Sequence, residues 1–189
     1  MSATVASTQQ GFSLIEVSLV TAIVLLLAII GVPAIGSYVV ENKVPKVGEE
    51  LARFILQTKV NAPNGSTQPY DGIDISNFAN MVRDSSIFSV SGSGASTKVL
   101  HGLGSDGEVE VAANESRNAF SITLHKVSNA ACPSIASVMQ RVSDSITVTP
   151  DDGATAVVKD IKQNIHYSAL ATESKCAKGD VNTFVFTAG

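Results

Sequence analysis

No basic stripe runs through this chain. Its 13 Lys and Arg stand against 17 Asp and Glu, leaving a formal net charge of −4. That balance excludes nucleic-acid binding driven by phosphate neutralisation. Cysteine is scarce. Cys132 and Cys176 are the only two, and neither lies in a C-x-x-C pair, so metal and redox-catalytic cysteine sites have no support. The histidines at 101, 125 and 166 lie 24 and 41 residues apart and show no ligand spacing. They read as surface or lightly packed side chains. No set of nucleophile, base and orienting group is visible, so no enzyme and no cofactor is expected. Tryptophan is absent and aromatics make up 5% of the chain, while small and hydroxylated residues dominate the second half. That composition suits an exposed surface. No internal repeat is evident.

One absence is more informative than the rest. From Val17 to Val40 there are 24 residues without a single charge. At about 1.5 Å per residue this run is roughly 36 Å long as a helix, enough to cross a hydrocarbon core of about 30 Å. Glu16 stands just inside its start. A comparable charge at the centre of a membrane helix costs about 2.5–3.5 kcal/mol, and less near the interface. An acid retained there is a candidate functional residue. An ordinary secretory signal is one reading of this end, with Val17–Ile30 as its apolar region and Ala34-Ile35-Gly36 as a small-x-small cleavage site. Met1–Gly11 holds no Lys or Arg, and Glu16 abuts the apolar run; both argue against it. A plain signal-anchor helix is the other conventional reading.

The helix does not stop where charge returns. Val40, Val44, Val47, Leu51, Phe54 and Ile55 keep a three-and-four spacing, with Glu41, Lys43, Lys46, Glu49, Glu50 and Arg53 on the other faces. Glu49 and Arg53 are placed for an i,i+4 pair. One helix from about Ser13 to Val60 is expected, apolar all round in its first half and amphipathic in its second. The first half needs lipid or protein on every side; the second buries one stripe. Gly31, Pro33 and Gly36 mark an expected kink or local melting point, and Pro45 a second.

Asn61-Ala62-Pro63-Asn64-Gly65 ends the helix. Ser76–Asp84 reads as a short helix with Phe78, Met81 and Val82 on one face. Ile87–Val90 and Thr97–Leu100 read as strands about a flexible loop, Ser91–Ser96. Glu108–Val111 and Phe120–Leu124 alternate as half-buried antiparallel strands do. Cys132-Pro133-Ser134 opens a helix to about Val142. Ser145–Thr149 and Ala154–Val158 are short strands around the turn Pro150-Asp151-Asp152-Gly153, which reads as a turn and not a calcium loop. Asp160–Thr172 is ambiguous, although Ile161, Ile165 and Leu170 roughly fit a helical stripe. Thr183–Phe186 is a terminal strand. Gly102-Leu103-Gly104-Ser105-Asp106-Gly107 matches G-x-G-x-x-G, but a strand follows it where a dinucleotide site needs a helix, so it reads as a hairpin turn.

The string Gly11-Phe12-Ser13-Leu14-Ile15-Glu16-Val17 resembles the processing site of a type IV prepilin. The resemblance implies that a prepilin peptidase cuts between Gly11 and Phe12, that Phe12 becomes the N-methylated terminus, and that Glu16 is the retained acid. Met1–Gly11 differs from the usual leaders of that family in having no basic residue. Asn118–Ile122 ahead of Cys132, and Ser174-Lys175-Cys176-Ala177-Lys178-Gly179 ahead of a terminal apolar stretch, are similar to type IVb pilins, including toxin-coregulated pilins and those of thin conjugative pili. Residues 64–115 carry no such likeness.

A membrane signal at the N-terminus places the following domain outside the cytosol, where disulfides persist. A Cys132–Cys176 bridge would close a loop of about 45 residues and contribute roughly 3–4.7 kcal/mol; two separate buried thiols are the alternative. The expected fold is α+β: a long N-terminal helix packed on an antiparallel sheet, with a disulfide-bounded C-terminal region at one edge, the pilin fold. Expected segments are a leader at 1–11, the helix at 12–62 with its apolar half at 12–40 and amphipathic half at 41–62, and a globular head at 63–189. The terminal strand is expected to sit centrally, as in pilins.

The expected function is structural: the major subunit of a type IVb-like pilus, held in the inner membrane as prepilin and then assembled outside the cell. Glu16 would neutralise the terminal amine of a neighbouring subunit and so set register. The implied partners are copies of itself, the peptidase and an inner-membrane assembly platform. A minor pilin or a secretion-system pseudopilin keeps the architecture with another role. A membrane-anchored extracytoplasmic binding domain is the alternative of a different class.

Overall fold

The computed structural model describes residues 11–189, without the side chains at 32–34. Of the expected leader only Gly11 falls within these, and the Pro33 ring lies outside them. The chain divides into two compact units, one ending at Ser37 and one running from Tyr38 to Gly189. A single helix, α1 (Leu14–Asn61), contributes to both.

In the first unit the helix backbone is continuous through Gly31, Pro33 and Gly36. A Cβ built on Gly31 or Gly36 would meet nothing within 4 Å. In the second unit α1 continues through Pro45, and no melting occurs there. Proline forfeits one helix hydrogen bond. Val44 and Val47 on either side are buried, and their packing offsets that loss. The amphipathic stripe is buried as its spacing predicts: Val44, Val47, Leu51, Phe54 and Ile55 are in the core and Val40 packs partly against it. The expected Glu49–Arg53 pair does not form. Arg53 instead turns one residue closer, to Glu50, with Nε donating to Oε2 at 3.0 Å. Spacings of three and four are both compatible with such pairs.

The second unit is a seven-stranded, wholly antiparallel sheet. Its strands are β1 (Ser89–Ser91), β2 (Lys98–Leu100), β3 (Glu108–Ala113), β4 (Phe120–Ser128), β5 (Ser145–Pro150), β6 (Ala156–Asp160) and β7 (Asp180–Ala188), in spatial order β1-β2-β3-β4-β7-β5-β6. The terminal strand β7 is thus interior, flanked by β4 and β5. Its register explains the core. Phe186 lies opposite Ile122 on one side and Ile146 on the other, and Phe184 opposite Leu124 and Val148. All six are fully buried. Period-two alternation puts them on one face, because successive side chains on a strand point to opposite faces.

Three short helices complete the unit: α2 (Ile75–Val82), α3 (Cys132–Met139) and α4 (Ala169–Glu173). A capping box starts α2, with the Ser76 N–H donating to Asp74 Oδ1 at 2.8 Å and the Asp74 N–H to Asn77 Oδ1 at 2.9 Å. Its Phe78 meets Phe54 of α1 edge-on, ring centres 5.2 Å apart. The Ser91–Ser96 linker holds a single 3-10 turn, Gly94–Ser96, which closes the β1–β2 hairpin. At the end of α3, Lys159 of β6 donates to the carbonyls of Gln140 and Ser143. A cation is favourable there because the last carbonyls of a helix are unpaired and the dipole is negative.

Two sequence expectations are corrected here. No helical stripe runs through Asp160–Thr172. Ile161 is exposed, Ile165 forms an isolated bridge with Asp160, and α4 begins only at Ala169, with Leu170 81% exposed. Asp160 breaks any helix by taking the N–H groups of Lys162 and Gln163 on its own carboxylate, at 2.8 and 3.2 Å. His101 is not a surface residue; it is fully buried.

Gly48 sets the approach of α1 to α3. A Cβ built there would lie 2.5 Å from Val138 Cγ1 and 3.1 Å from its Cβ. Valine is stiff at χ1 and has no long arm to swing aside. Gly48→Leu is therefore expected to destabilise the protein by about 1–3 kcal/mol, read by thermal unfolding. Adding Val138→Ala should restore part of the loss. An unchanged midpoint in Gly48→Leu would show that the contact is not tight.

Candidate functional site

The N-terminal segment presents its chemistry in the open. Gly11 and Phe12 precede α1, and Phe12 is 87% exposed. Ser13 and Glu16 build a capping box around the helix start. The Ser13 N–H donates to Glu16 Oε2 at 2.9 Å, and Ser13 Oγ accepts from the Ile15 N–H at 3.4 Å. The Ser13 carbonyl takes the Val17 N–H at 3.1 Å, closing the first turn. S-x-x-E is a sequence signature of a helix start, because the two side chains satisfy donors that the first turn leaves unpaired. Glu16 Oε1 has no hydrogen bond among the described residues. The structure therefore brings Glu16 to Ser13. It leaves Gly11 and Phe12 outside the helix.

Beyond Glu16, large apolar side chains are exposed on every face of α1, among them Leu19, Ile23, Leu26, Leu27 and Ile30. From Ala22 to Ile30 every residue is apolar, and successive residues lie 100° apart around the axis, so no orientation on a water interface hides them. Among the described residues α1 is the one helix long and apolar enough to cross a membrane.

The second feature is the disulfide. Cys132 opens α3, Cys176 follows α4, and their sulfurs are bonded, with Cα atoms 6.1 Å apart and a sequence separation of 44. The bridge encloses α3, β5, β6 and α4. Two contacts reinforce it. Tyr167 donates its hydroxyl to the Pro133 carbonyl at 2.9 Å. Buried Asn182 of β7 accepts from the Ala177 N–H at 2.8 Å and donates to the carbonyls of Ala177 and Val127 at 2.9 and 3.1 Å. That amide ties the chain leaving Cys176 to β4.

Sequence reasoning missed the His101 cluster. Nε2 meets the His125 carbonyl at 2.8 Å, and Nδ1 accepts from the Leu103 N–H at 3.0 Å. Both ring nitrogens are occupied, so the ring is fixed as the neutral tautomer with its proton on Nε2. Burial drives its pKa down to about 4, with the charge of His125 adding to the fall; the His125 carbonyl and Asp180 oppose it. Gly107 gives the ring its space, since a Cβ there would lie 2.3 Å from the imidazole. The G-x-G-x-x-G string is a hairpin turn as read, and its last glycine serves this histidine. The same turn is held at Asp180, whose Oδ2 accepts from the Ser105 N–H at 2.7 Å and from its hydroxyl at 2.8 Å. Burial raises the Asp180 pKa, but these bonds, the Ser128 hydroxyl and His101 outweigh it and hold the carboxyl below its ordinary value. Only the glycine spacing hinted at this cluster; its partners are 24 and 79 positions away from His101.

Residues 103–189, slightly under half of the chain, match the family model described as PilS N terminal. Among solved structures, the type IVb pilin from Salmonella typhi is similar at 20% identity and a TM-score of 0.49, over 75% of this chain and 94% of that one. A comparison with curated proteins finds no match. The matched region holds β3, β4, β5, β6, β7 and both cysteines. Residues 103–189 are thus similar to the PilS N-terminal family, in a chain that begins with a long helix whose first half is apolar.

Proposed function

We propose that this chain is a type IVb-like pilin, the major subunit of its filament, and assembles through the apolar half of α1 after a prepilin peptidase cuts between Gly11 and Phe12. The carrying observation is the uncharged helix surface from Val17 to Ile30, with large apolar side chains exposed along it and uncovered among the described residues. Lipid covers such a surface before assembly, in the inner membrane. Neighbouring helices cover it afterwards, outside the cell, in a heterologous array that never closes. An inner-membrane platform would carry the subunit between the two. In this reading residues 12–40 form the filament core, and the head is displayed outward. Gly31, Pro33 and Gly36 would let the helix kink or unwind as it leaves the membrane, since Pro and Gly weaken the backbone ladder there.

Cleavage would leave a positive amine on Phe12 at a helix N-terminus, where the dipole disfavours it. An unpaired charge is costly in an apolar core. Glu16 Oε1, unpaired among the described residues, could take that amine from a neighbouring subunit, while Oε2 keeps the Ser13 cap. The cap itself favours a second, simpler role for Glu16, as a residue that only starts its own helix. Glu16→Gln separates the two, because glutamine also caps at this position. The neutral variant is expected to be cleaved normally and to give at least tenfold fewer filaments. Normal filament yield from Glu16→Gln would leave the cap as its only role.

A further inference from the structure

A cleft opens where the end of α1, the turn at 69–73 and α2 meet. It holds about 350 Å³, at the lower end of the range of about 300–1,000 Å³ typical of small-molecule sites. Three residues with side-chain amides line it, Gln57 and Asn61 from α1 and Asn77 from α2, together with Thr58 and Tyr70. Gln57 and Asn61 are one helical turn apart and share a face. Among the described residues the side chains of Gln57, Thr58 and Asn61 make no hydrogen bond, and Asn77 uses only Oδ1, leaving its NH₂ unpaired. Tyr70 is 6% exposed, its ring packed on Phe120 at 4.9 Å, and its hydroxyl has no partner among the described residues. That hydroxyl is not sealed off, since the sealed unpartnered atom among those residues is Ser143 Oγ. Phe54, Met81 and Pro69 supply apolar wall.

Charge narrows the ligand. No Lys or Arg lines the cleft, and its one carboxylate, Asp71, is paired with Arg117 Nε at 3.2 Å. Nothing there would hold a phosphate or a carboxylate, which cationic or bidentate donors recognise. Amides and hydroxyls donate and accept in one group, and so do the hydroxyls of a sugar. Apolar wall beside them suits a sugar's C–H face. The rim is built beforehand. The Tyr70 N–H donates to the Arg117 carbonyl at 3.1 Å, and the Arg117 guanidinium donates to Gln68 Oε1 at 3.3 Å. A preformed rim spares the ligand the cost of ordering it.

We propose that this cleft is a binding site for an uncharged sugar, held by Gln57, Asn61, Asn77 and Tyr70. The proposal does not rest on filament assembly, and its test uses the unassembled chain. Full-length protein is held in micelles of a phosphocholine detergent, which carries no sugar of its own. Saturation-transfer NMR is recorded with galactose, glucose and N-acetylglucosamine, with sialic acid and inorganic phosphate as charged controls. Transfer to at least one neutral sugar is expected. Its Kd should rise at least tenfold in Gln57→Ala/Asn61→Ala and several-fold in Tyr70→Phe, which removes one oxygen only, and stay unchanged in Gln163→Ala. Circular dichroism of each variant confirms its fold. The proposal is overturned if no neutral sugar gives transfer to folded wild-type protein, if the variants bind as wild type does, or if the charged controls bind better.

Discussion

Removing the Cys132–Cys176 bridge is expected to destabilise the protein by about 4 kcal/mol. The loop it closes spans 44 positions and contains α3, β5, β6 and α4. Without the bridge the unfolded chain regains the freedom of that loop, while the native contacts stay available. The loss is large because α4 is short and has one buried residue, Thr172. Its attachment to α3 then rests on the Tyr167–Pro133 bond and the burial of Thr172. A Cys132→Ala/Cys176→Ala variant avoids free thiols. Its urea midpoint in detergent should fall and its slope should rise, because the unfolded chain is less compact without the bridge, and proteolysis should begin between Tyr167 and Lys178. The β3–β4 hairpin lies outside the loop and should keep its hydrogen-exchange protection in that variant. A variant as stable as the parent would show that α4 is held by side-chain contacts alone.

Acid should weaken the head between about pH 6.5 and 4, chiefly through His101. The direction follows from linkage. Its folded pKa lies near 4 against an unfolded value of 6.5, so in that window the unfolded chain binds the proton and the folded chain does not. Stability falls as the unfolded state takes up protons. The full contribution is present above the unfolded pKa and is lost as pH drops to the folded one, about 3 kcal/mol in all. Protonating Nδ1 would also break the Leu103 N–H bond. Asp180 acts in the same sense but lower. Its folded pKa is depressed, so its stabilising share persists above the ordinary carboxylate value and disappears as pH falls through the folded one. Denaturation of wild type and His101→Gln at pH 7 and pH 4 checks this. Glutamine does not titrate, so the drop should shrink by about 3 kcal/mol in the variant. NMR titration of the imidazole in wild type reads the same quantity directly. A His101 midpoint near 6.5 would contradict the buried, doubly bonded ring.

Local periodicity carried most of the fold. The Val44–Ile55 stripe was legible because burial on one helix face repeats at three and four residues, and β3, β4 and β7 because burial on one sheet face repeats at two. The processing string and Glu16 stand out in the sequence because they combine a rare charge with an apolar run, and they enter the proposed function on that ground. What failed was long-range or short. His101 gave no local sign of burial, since its pocket is assembled from β4, β7 and a glycine six positions on. Asp160–Thr172 misled because three apolar residues in ten fit a helix by chance, whereas Asp160 and Asn164, the latter at φ 56°, turn the backbone. Arg53 chose Glu50 over Glu49 by a spacing that sequence cannot distinguish. The sugar cleft was invisible because its walls come from α1, α2 and a turn with no shared motif.

The most direct measurement is the intact mass of the protein sheared from the cell surface as filaments. A chain lacking Met1–Gly11, with one added methyl group and two hydrogens lost to the disulfide, is the expected result. It would place a processed Phe12 at the start of an assembled α1. A chain beginning near Ser37, or a full-length chain found only in the membrane, would contradict assembly through the apolar helix.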